Sequence, residues 1–129
     1  VSTLNKCDYC VEHHFAGLKR LLNDDEKATQ IRSAIDTNKI EEAPLENCQK
    51  TAMEYARKLT HNPGSIREES IEKLRADGFT DGEILEINQV CAYFSYANRT
   101  VLGLGCSTKG DILGLSPNNN DDPNDWGHS

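Results

Sequence analysis

The sequence predicts an all-α fold. Apolar residues recur at steps of three and four along most of the chain, which is the periodicity of a helix with one buried face. Helix-start signals precede several of these segments. No run alternates between apolar and polar residues as a half-buried strand would. Together these observations favour a helical domain over residues 1–105, followed by a polar tail over residues 106–129 that is extended or docked on a neighbouring subunit.

The first three helices are predicted from apolar spacing and from residues that interrupt it. Four apolar residues at steps of four, three and four mark the first helix: Val11, Phe15, Leu18 and Leu22. Asn23 and the two aspartates after it end this pattern, and a short helix follows around residues 28–37. Pro44 suits the first turn of a third helix, because proline is tolerated there. The run His61-Asn62-Pro63-Gly64 ends that helix.

Two capping boxes predict the starts of the last two helices. Ser65 with Glu68 begins a helix that stops at Gly78, since glycine is common just past a helix end. Thr80 with Glu83 opens the longest helix, over residues 81–104.

The long helix carries an unusually wide apolar face. One stripe contains Ile84, Ile87, Cys91, Phe94 and Val101, and it is widened by Leu85, Val90, Ala97, Leu102 and Leu104. Such a face predicts burial on more than one side. Asn98 lies on the stripe, and a buried amide must be hydrogen-bonded, so we favour pairing within the structure over contact with a substrate.

Composition narrows the function classes. The 129 residues include 14 Lys and Arg against 21 Asp and Glu, which gives a formal charge of −7. Binding to a phosphate backbone needs clustered positive charge, so nucleic acid is not an expected partner. No apolar run approaches the roughly 18 residues of a membrane span, and no signal peptide is visible. We therefore expect a cytoplasmic protein that does not bind a membrane.

The five cysteines fall into two groups. Their odd number, without a secretory signal, argues against a disulfide-stapled secreted domain. Cys48 and Cys91 sit in helical apolar stripes and are interpreted as small core residues. Cys106 lies at a helix end and is given no role. Cys7 and Cys10 form a C-x-x-C pair, which is a different kind of signal.

Cys7, Cys10 and His14 form the candidate site. At 100° per residue, these three side chains occupy one arc about 60° wide at the edge of the buried face. His13 points away from that arc, so His14 is the candidate partner of the thiols. Free N–H groups at a helix start favour a thiolate, and a nearby imidazole can accept the thiol proton. A thiolate can attack a peroxide to give a sulfenic acid, which a neighbouring cysteine converts to a disulfide.

Two other interpretations of this cluster stay open. Structural zinc also uses C-x-x-C, but Cys7, Cys10 and His14 supply only three ligands, so His61 or His128 would have to be recruited. The alternative is a pair of ordinary core cysteines beside a surface histidine. Both are less favoured than thiol chemistry, and we expect neither a metal nor another cofactor.

The sequence resembles the alkylhydroperoxidase D / carboxymuconolactone decarboxylase superfamily. Its C-x-x-C-x-x-x-H core matches residues 5–14, which read NKCDYCVEHH. The long helix resembles that of the peroxidase-related branch through residues 92–99 (AYFSYANR) and 102–105 (LGLG), as do residues 113–117 (LGLSP) and 125–128 (DWGH).

This resemblance implies an AhpD-like helical bundle that forms homo-oligomers, trimers or hexamers. It implies reduction of a hydroperoxide substrate at the expense of a dithiol reductant protein. Cys10 corresponds to the peroxidatic cysteine, Cys7 to its disulfide partner and proton donor, and His14 to the proton-relay histidine. Tyr9 stands where some members carry a histidine.

One departure from the family pattern concerns the proton relay. Members usually carry a Glu about twelve residues before the first cysteine, roughly three helical turns, and that position falls before Val1. Glu12 points away from Cys10 and is no substitute. We therefore expect that N-terminal helices are missing. Two alternatives follow: a decarboxylase-like enzyme without redox chemistry, which the dithiol argues against, or a non-catalytic oligomeric module that has lost the relay.

Overall fold

The all-α fold is confirmed in the computed structural model, which describes residues 1–114. These residues form five α-helices and two short 3₁₀ helices, and none of them is in a strand. The α-helices are α1 (Asp8–Leu22), α2 (Asp25–Asp36), α3 (Asn47–His61), α4 (Glu68–Ala76) and α5 (Asp81–Gly103). Within the described part of the chain, no helix combines the length and the apolarity needed to cross a membrane.

The start of α5 agrees with the predicted capping box. The Thr80 N–H donates to Glu83 Oε2 at 2.7 Å, and the Glu83 N–H donates back to Thr80 Oγ1 at 3.3 Å. Asp24, one of the residues predicted to end the first helix, also caps the second. Its Oδ1 accepts the Lys27 N–H at 2.9 Å at the start of α2. Both caps satisfy N–H groups that have no partner inside the helix.

Two predicted helix starts are wrong. Pro44 lies before α3, which begins at Asn47 after a cap in which the Glu46 N–H donates to Gln49 Oε1 at 3.0 Å. The box between Ser65 and Glu68 does not form, because Pro63 begins a 3₁₀ turn that includes Ser65. There the Ser65 hydroxyl donates to the Asn62 carbonyl at 2.7 Å, which is the bond this turn offers it.

The hydrophobic core lies among the last three helices. It centres on Tyr55 of α3, Leu74 of α4 and Ile84 of α5. Six partly buried side chains pack around them: Ala52, Leu59, Ile66, Ile71, Phe79 and Ile87. Helix α1 packs against α2 and α5, so the segment with the two cysteines is enclosed from both sides.

The wide apolar face of α5 is only partly covered. Ile84 and Cys91 are buried, as the predicted stripe requires. The residues that widen the stripe include several that are exposed: Leu85, Val90, Leu102 and Leu104. Residues 1–114 therefore do not bury the widened part of this face.

The residues after α5 return to α1. We call residues 106–114 the strap. Its Asp111 carboxylate lies 3.1 Å from Nε2 of His13, and the Arg20 guanidinium donates to the Gly114 carbonyl. Gly114 has a φ of 77°, and a Cβ there would stand 2.7 Å from the backbone nitrogen of Gly17, so only glycine fits. This part of the predicted tail packs on its own chain; residues 115–129, including Trp126, lie outside the described residues.

Candidate functional site

The two cysteines of the C-x-x-C pair lie at the start of α1. Cys7 is the N-cap residue and Cys10 lies in the first turn of the helix. Both thiols are free and buried, with 0% of Cys7 and 6% of Cys10 exposed. The sequence placed them at the edge of the buried face, and the packing of α2 and α5 against α1 encloses them further.

The chain turns sharply just before Cys7. Lys6 has a φ of 56°, a left-handed conformation that costs a non-glycine residue about 1–3 kcal/mol. Backbone hydrogen bonds hold this turn: the Cys7 N–H donates to the Ser2 carbonyl and the Asn5 N–H to the Val1 carbonyl, each at 3.0 Å. The surroundings therefore fix the backbone that positions the dithiol.

A small cavity joins Cys10 to His14. Its volume is about 160 Å³. Pockets for drug-sized ligands occupy roughly 300–1,000 Å³, so this one suits only a small molecule or a short group. Most of the lining is apolar, and the full set is Ser2, Thr3, Cys10, Val11, His14, Phe15, Leu18, Ile31, Arg32 and Ile35.

His14 is exposed on one side and packs on the other. Its ring meets that of Phe94 edge to face, with centroids 4.6 Å apart. Partial burial, and to a smaller extent the charge of His13, lowers the pKa of His14 below its ordinary value. Its imidazole is therefore neutral at neutral pH and can accept a proton. Among residues 1–114, no carboxylate hydrogen-bonds this ring.

The Cys10 thiol is protonated at neutral pH. Burial, followed by a hydrogen bond with Cys7 and the charge of Cys7, raises the pKa of Cys10 to about 11. Hydrogen bonding from Asn98 acts in the opposite direction but does not outweigh burial. The expectation that the helix start holds a thiolate is therefore not met at Cys10, because desolvation disfavours the charged form more than the helix N–H groups favour it.

Glu12 is turned away from the thiols, as its place on the helical wheel predicted. Its carboxylate accepts a hydrogen bond from the Arg32 guanidinium at 3.0 Å, and Arg32 also donates to Asp36 at 2.7 Å. The guanidinium lies over the Phe15 ring, 5.1 Å from its centroid. Arg32 thus ties α1 to α2 at the wall of the cavity, and nothing in the sequence had singled it out.

His13 serves a different purpose from His14. It pairs with Asp111 of the strap and stacks on Tyr9, with ring centroids 4.5 Å apart. Burial, and after it the nearby Asp111 carboxylate, raises the pKa of Tyr9, so both side chains on this face of α1 lie near the strap. The choice of His14 over His13 as the neighbour of Cys10 agrees with this geometry.

The other cysteines stand apart from the cavity. Cys91 is buried in α5, as predicted. The prediction of a core position for Cys48 is only partly met, because it is half-buried and its thiol points toward Glu46, 3.9 Å away. Cys106 is exposed after the end of α5. Within residues 1–114, no three His, Cys, Asp or Glu side chains are grouped to hold a metal ion.

A larger cleft lies between α3 and α4, away from the dithiol. Its volume is about 590 Å³, and charged and polar side chains line much of it, among them Arg57, Lys58 and Lys73. It contains no cysteine. The thiol cavity is the better candidate for chemistry, because it combines a nucleophile with a neutral base.

No protein-family model matches the chain, and no curated protein matches it. The geometry of the site and the motif in the sequence are therefore the observations that bear on function.

Proposed function

We propose that this protein is a thiol-dependent peroxidase-like oxidoreductase that reduces hydroperoxides through Cys7 and Cys10. One observation carries the proposal: Cys10 and His14 line the same small cavity, with Cys7 one helical turn before Cys10. The resemblance of the motif to the alkylhydroperoxidase D superfamily supports the same chemistry. In this proposal the reductant is a cytoplasmic dithiol protein.

The reaction begins at the Cys10 sulfur. Neutral His14 takes the thiol proton, directly or through a water, as the sulfur attacks the outer oxygen of the hydroperoxide. The S–O bond forms as the O–O bond breaks, which leaves Cys10 as a sulfenic acid. The leaving alkoxide takes the proton back and departs as an alcohol.

The second step forms the disulfide. The Cys7 sulfur attacks the sulfenic sulfur, the S–O bond breaks, and the hydroxyl leaves with the Cys7 proton as water. Two thiols have then been oxidised and one hydroperoxide reduced to an alcohol and water. An external dithiol returns the pair to thiols by exchange, becoming a disulfide itself.

A homo-oligomer is part of this proposal. On α5, Leu85, Tyr93 and Tyr96 fall within an arc of roughly 80° and are 55%, 61% and 68% exposed. Exposed apolar surface of this kind favours contact with another subunit. Light scattering coupled to gel filtration should give a multiple of the chain mass, and Tyr96→Glu should lower it.

The test is peroxide consumption by the reduced protein. After removal of reductant, the protein is mixed with an equal amount of tert-butyl hydroperoxide, and residual peroxide and intact mass are measured. We expect the peroxide to be consumed and the mass to fall by a pair of hydrogens. Cys10→Ser should abolish both effects, whereas Cys48→Ser, a half-buried cysteine outside the cavity, should change neither. Consumption that survives Cys10→Ser would refute the assignment.

A non-catalytic module is the second candidate, and one observation favours it. The pKa of Cys10 is raised rather than lowered, whereas cysteines activated for attack usually have depressed values. In this case the reduced protein leaves tert-butyl hydroperoxide untouched while the oligomer forms normally. The same peroxide assay therefore separates the two candidates.

A further inference from the structure

Asn98 is a fully buried amide in the middle of α5. It is 0% exposed and ranks with Leu74 and Cys7 among the largest side chains that have no solvent contact. Burying an amide is costly unless hydrogen bonds replace those it made to water. A leucine has the same branched arrangement of heavy atoms without this requirement, so the polar atoms of Asn98 need an explanation.

Two of its hydrogen bonds reach the segment before the dithiol. Asn98 Nδ2 donates to Ser2 Oγ, and Asn98 Oδ1 accepts from Asn5 Nδ2, both at 3.0 Å. These bonds join α5 to residues more than ninety positions earlier in the chain. They confirm the expectation that this amide pairs within the structure.

The same amide lies near the sulfur of Cys10, because Ser2, which accepts its hydrogen bond, lines the cavity that contains Cys10. Its effect on the pKa of Cys10 agrees with this placement, since it lowers that pKa against the effect of burial. The amide nitrogen carries two hydrogens, and Ser2 accepts one of them. The second is free to donate to sulfur, and a donor of this kind favours a thiolate over a thiol.

We propose that Asn98 is a positioning residue of the dithiol: its amide fixes the turn that ends at Cys7 and donates to the Cys10 sulfur as that sulfur becomes anionic. The inference rests on the proposed function, because it takes the Cys10 anion to be the species that attacks the hydroperoxide. Arg32 lines the same cavity, but its guanidinium is paired with Glu12 and Asp36. The neutral amide of Asn98 therefore stabilises the negative charge on the sulfur without a second ionised side chain.

The test compares Asn98 variants with variants of its other partners. In the reduced protein, the rate of Cys10 alkylation by iodoacetamide is measured from pH 7 to pH 12 by mass spectrometry. Asn98→Leu removes the donor and should raise the midpoint of the pH profile by about one unit, the size expected for a hydrogen bond to a charged group. Ser2→Ala and Asn5→Ala disturb the same turn but keep the donor, so they should leave the midpoint unchanged.

A purely structural role for Asn98 predicts a different pattern. In that case all three variants lose stability in urea, and the midpoint either stays constant or moves equally in each; either result overturns the inference. If Asn98→Leu does not fold, Asn98→Ala removes the amide without adding bulk or a new donor and carries the same expectation. In the unmodified protein, the ¹³Cγ resonance of Asn98 should titrate together with Cys10 alkylation, and its failure to do so would equally overturn it.

This experiment is independent of peroxide turnover. A shifted midpoint in a protein that consumes no hydroperoxide would uphold the role of Asn98 and reject the peroxidase. Peroxide turnover with an unshifted midpoint would uphold the peroxidase and reject the role of Asn98.

Discussion

The ionisation of Cys10 gives the sharpest quantitative prediction. Its pKa is raised from an ordinary value of 9.0 to about 11, mainly by burial. At pH 7, two units reduce the thiolate fraction about a hundredfold. A thiolate of higher pKa is a better nucleophile, and the Brønsted slope is about 0.4–0.5. Over two pKa units the rate constant of the thiolate therefore increases close to tenfold, which offsets part of the loss. Alkylation of the folded protein at pH 7 should therefore be about tenfold slower than that of the unfolded chain.

The perturbation in this experiment is unfolding itself. Cys10 is alkylated with iodoacetamide in buffer and in concentrated urea, so the same residue serves as its own reference. Limited access to a side chain that is 6% exposed slows alkylation further but does not move the midpoint of the pH profile. The midpoint is thus the deciding quantity, and it should lie higher in the folded protein. A folded midpoint below that of the unfolded chain would refute the argument that desolvation dominates at this thiol.

Three further predictions concern the core, the strap and the base. Leu74→Ala should lower the free energy of unfolding by about 2–5 kcal/mol in urea titration, because Leu74 is fully buried, whereas exposed Leu21→Ala should change it by less than about 0.5 kcal/mol. Gly114→Ala should speed hydrogen exchange in the strap more than Gly110→Ala does. Both glycines have a positive φ, but only the Cβ at Gly114 would overlap α1, so equal effects would show that the overlap is relieved without cost. His14 has a lowered pKa, so peroxide consumption should fall only as the pH drops below that pKa and protonates the imidazole. His14→Gln should replace the plateau above that pKa with consumption that falls about tenfold for each pH unit below the pKa of Cys10, and a plateau that persists would exclude His14 as the base.

Much of the fold follows from local sequence signals. Helices α1, α2 and α5 are marked by apolar periodicity, and the Thr80 cap fixes where α5 begins. The starts of α3 and α4 were misplaced, because each depends on a neighbouring turn. At α4, Pro63 draws Ser65 into a 3₁₀ turn before it can act as a cap. Where two helix-start signals compete within a few residues, the backbone geometry decides which one caps the helix, and the sequence alone does not reveal that geometry.

The candidate site was predictable only where it lies within one helix. Cys7, Cys10 and His14 share α1 and its entry, so their spacing places them on one side of the chain. The contacts of Asn98 join residues more than ninety positions apart, and no local pattern encodes them. The raised pKa of Cys10 was missed for a related reason, since it depends on how α2 and α5 close over the helix start. A helical wheel predicts the direction in which a side chain points but not how deeply that side chain is buried.

His14 and Asn98 are proposed to act on the same proton, and a double variant can separate their roles. When His14 takes the proton during attack, the sulfur carries only part of its negative charge in the transition state, so the Asn98 donor contributes only part of its effect. When His14 is absent, a full thiolate must form before attack, and the donor contributes fully. Asn98→Leu should therefore slow consumption of tert-butyl hydroperoxide by a larger factor in the His14→Gln background than in the parent protein. Equal factors in both backgrounds would show that the two groups act independently, and therefore that His14 does not receive the proton of Cys10.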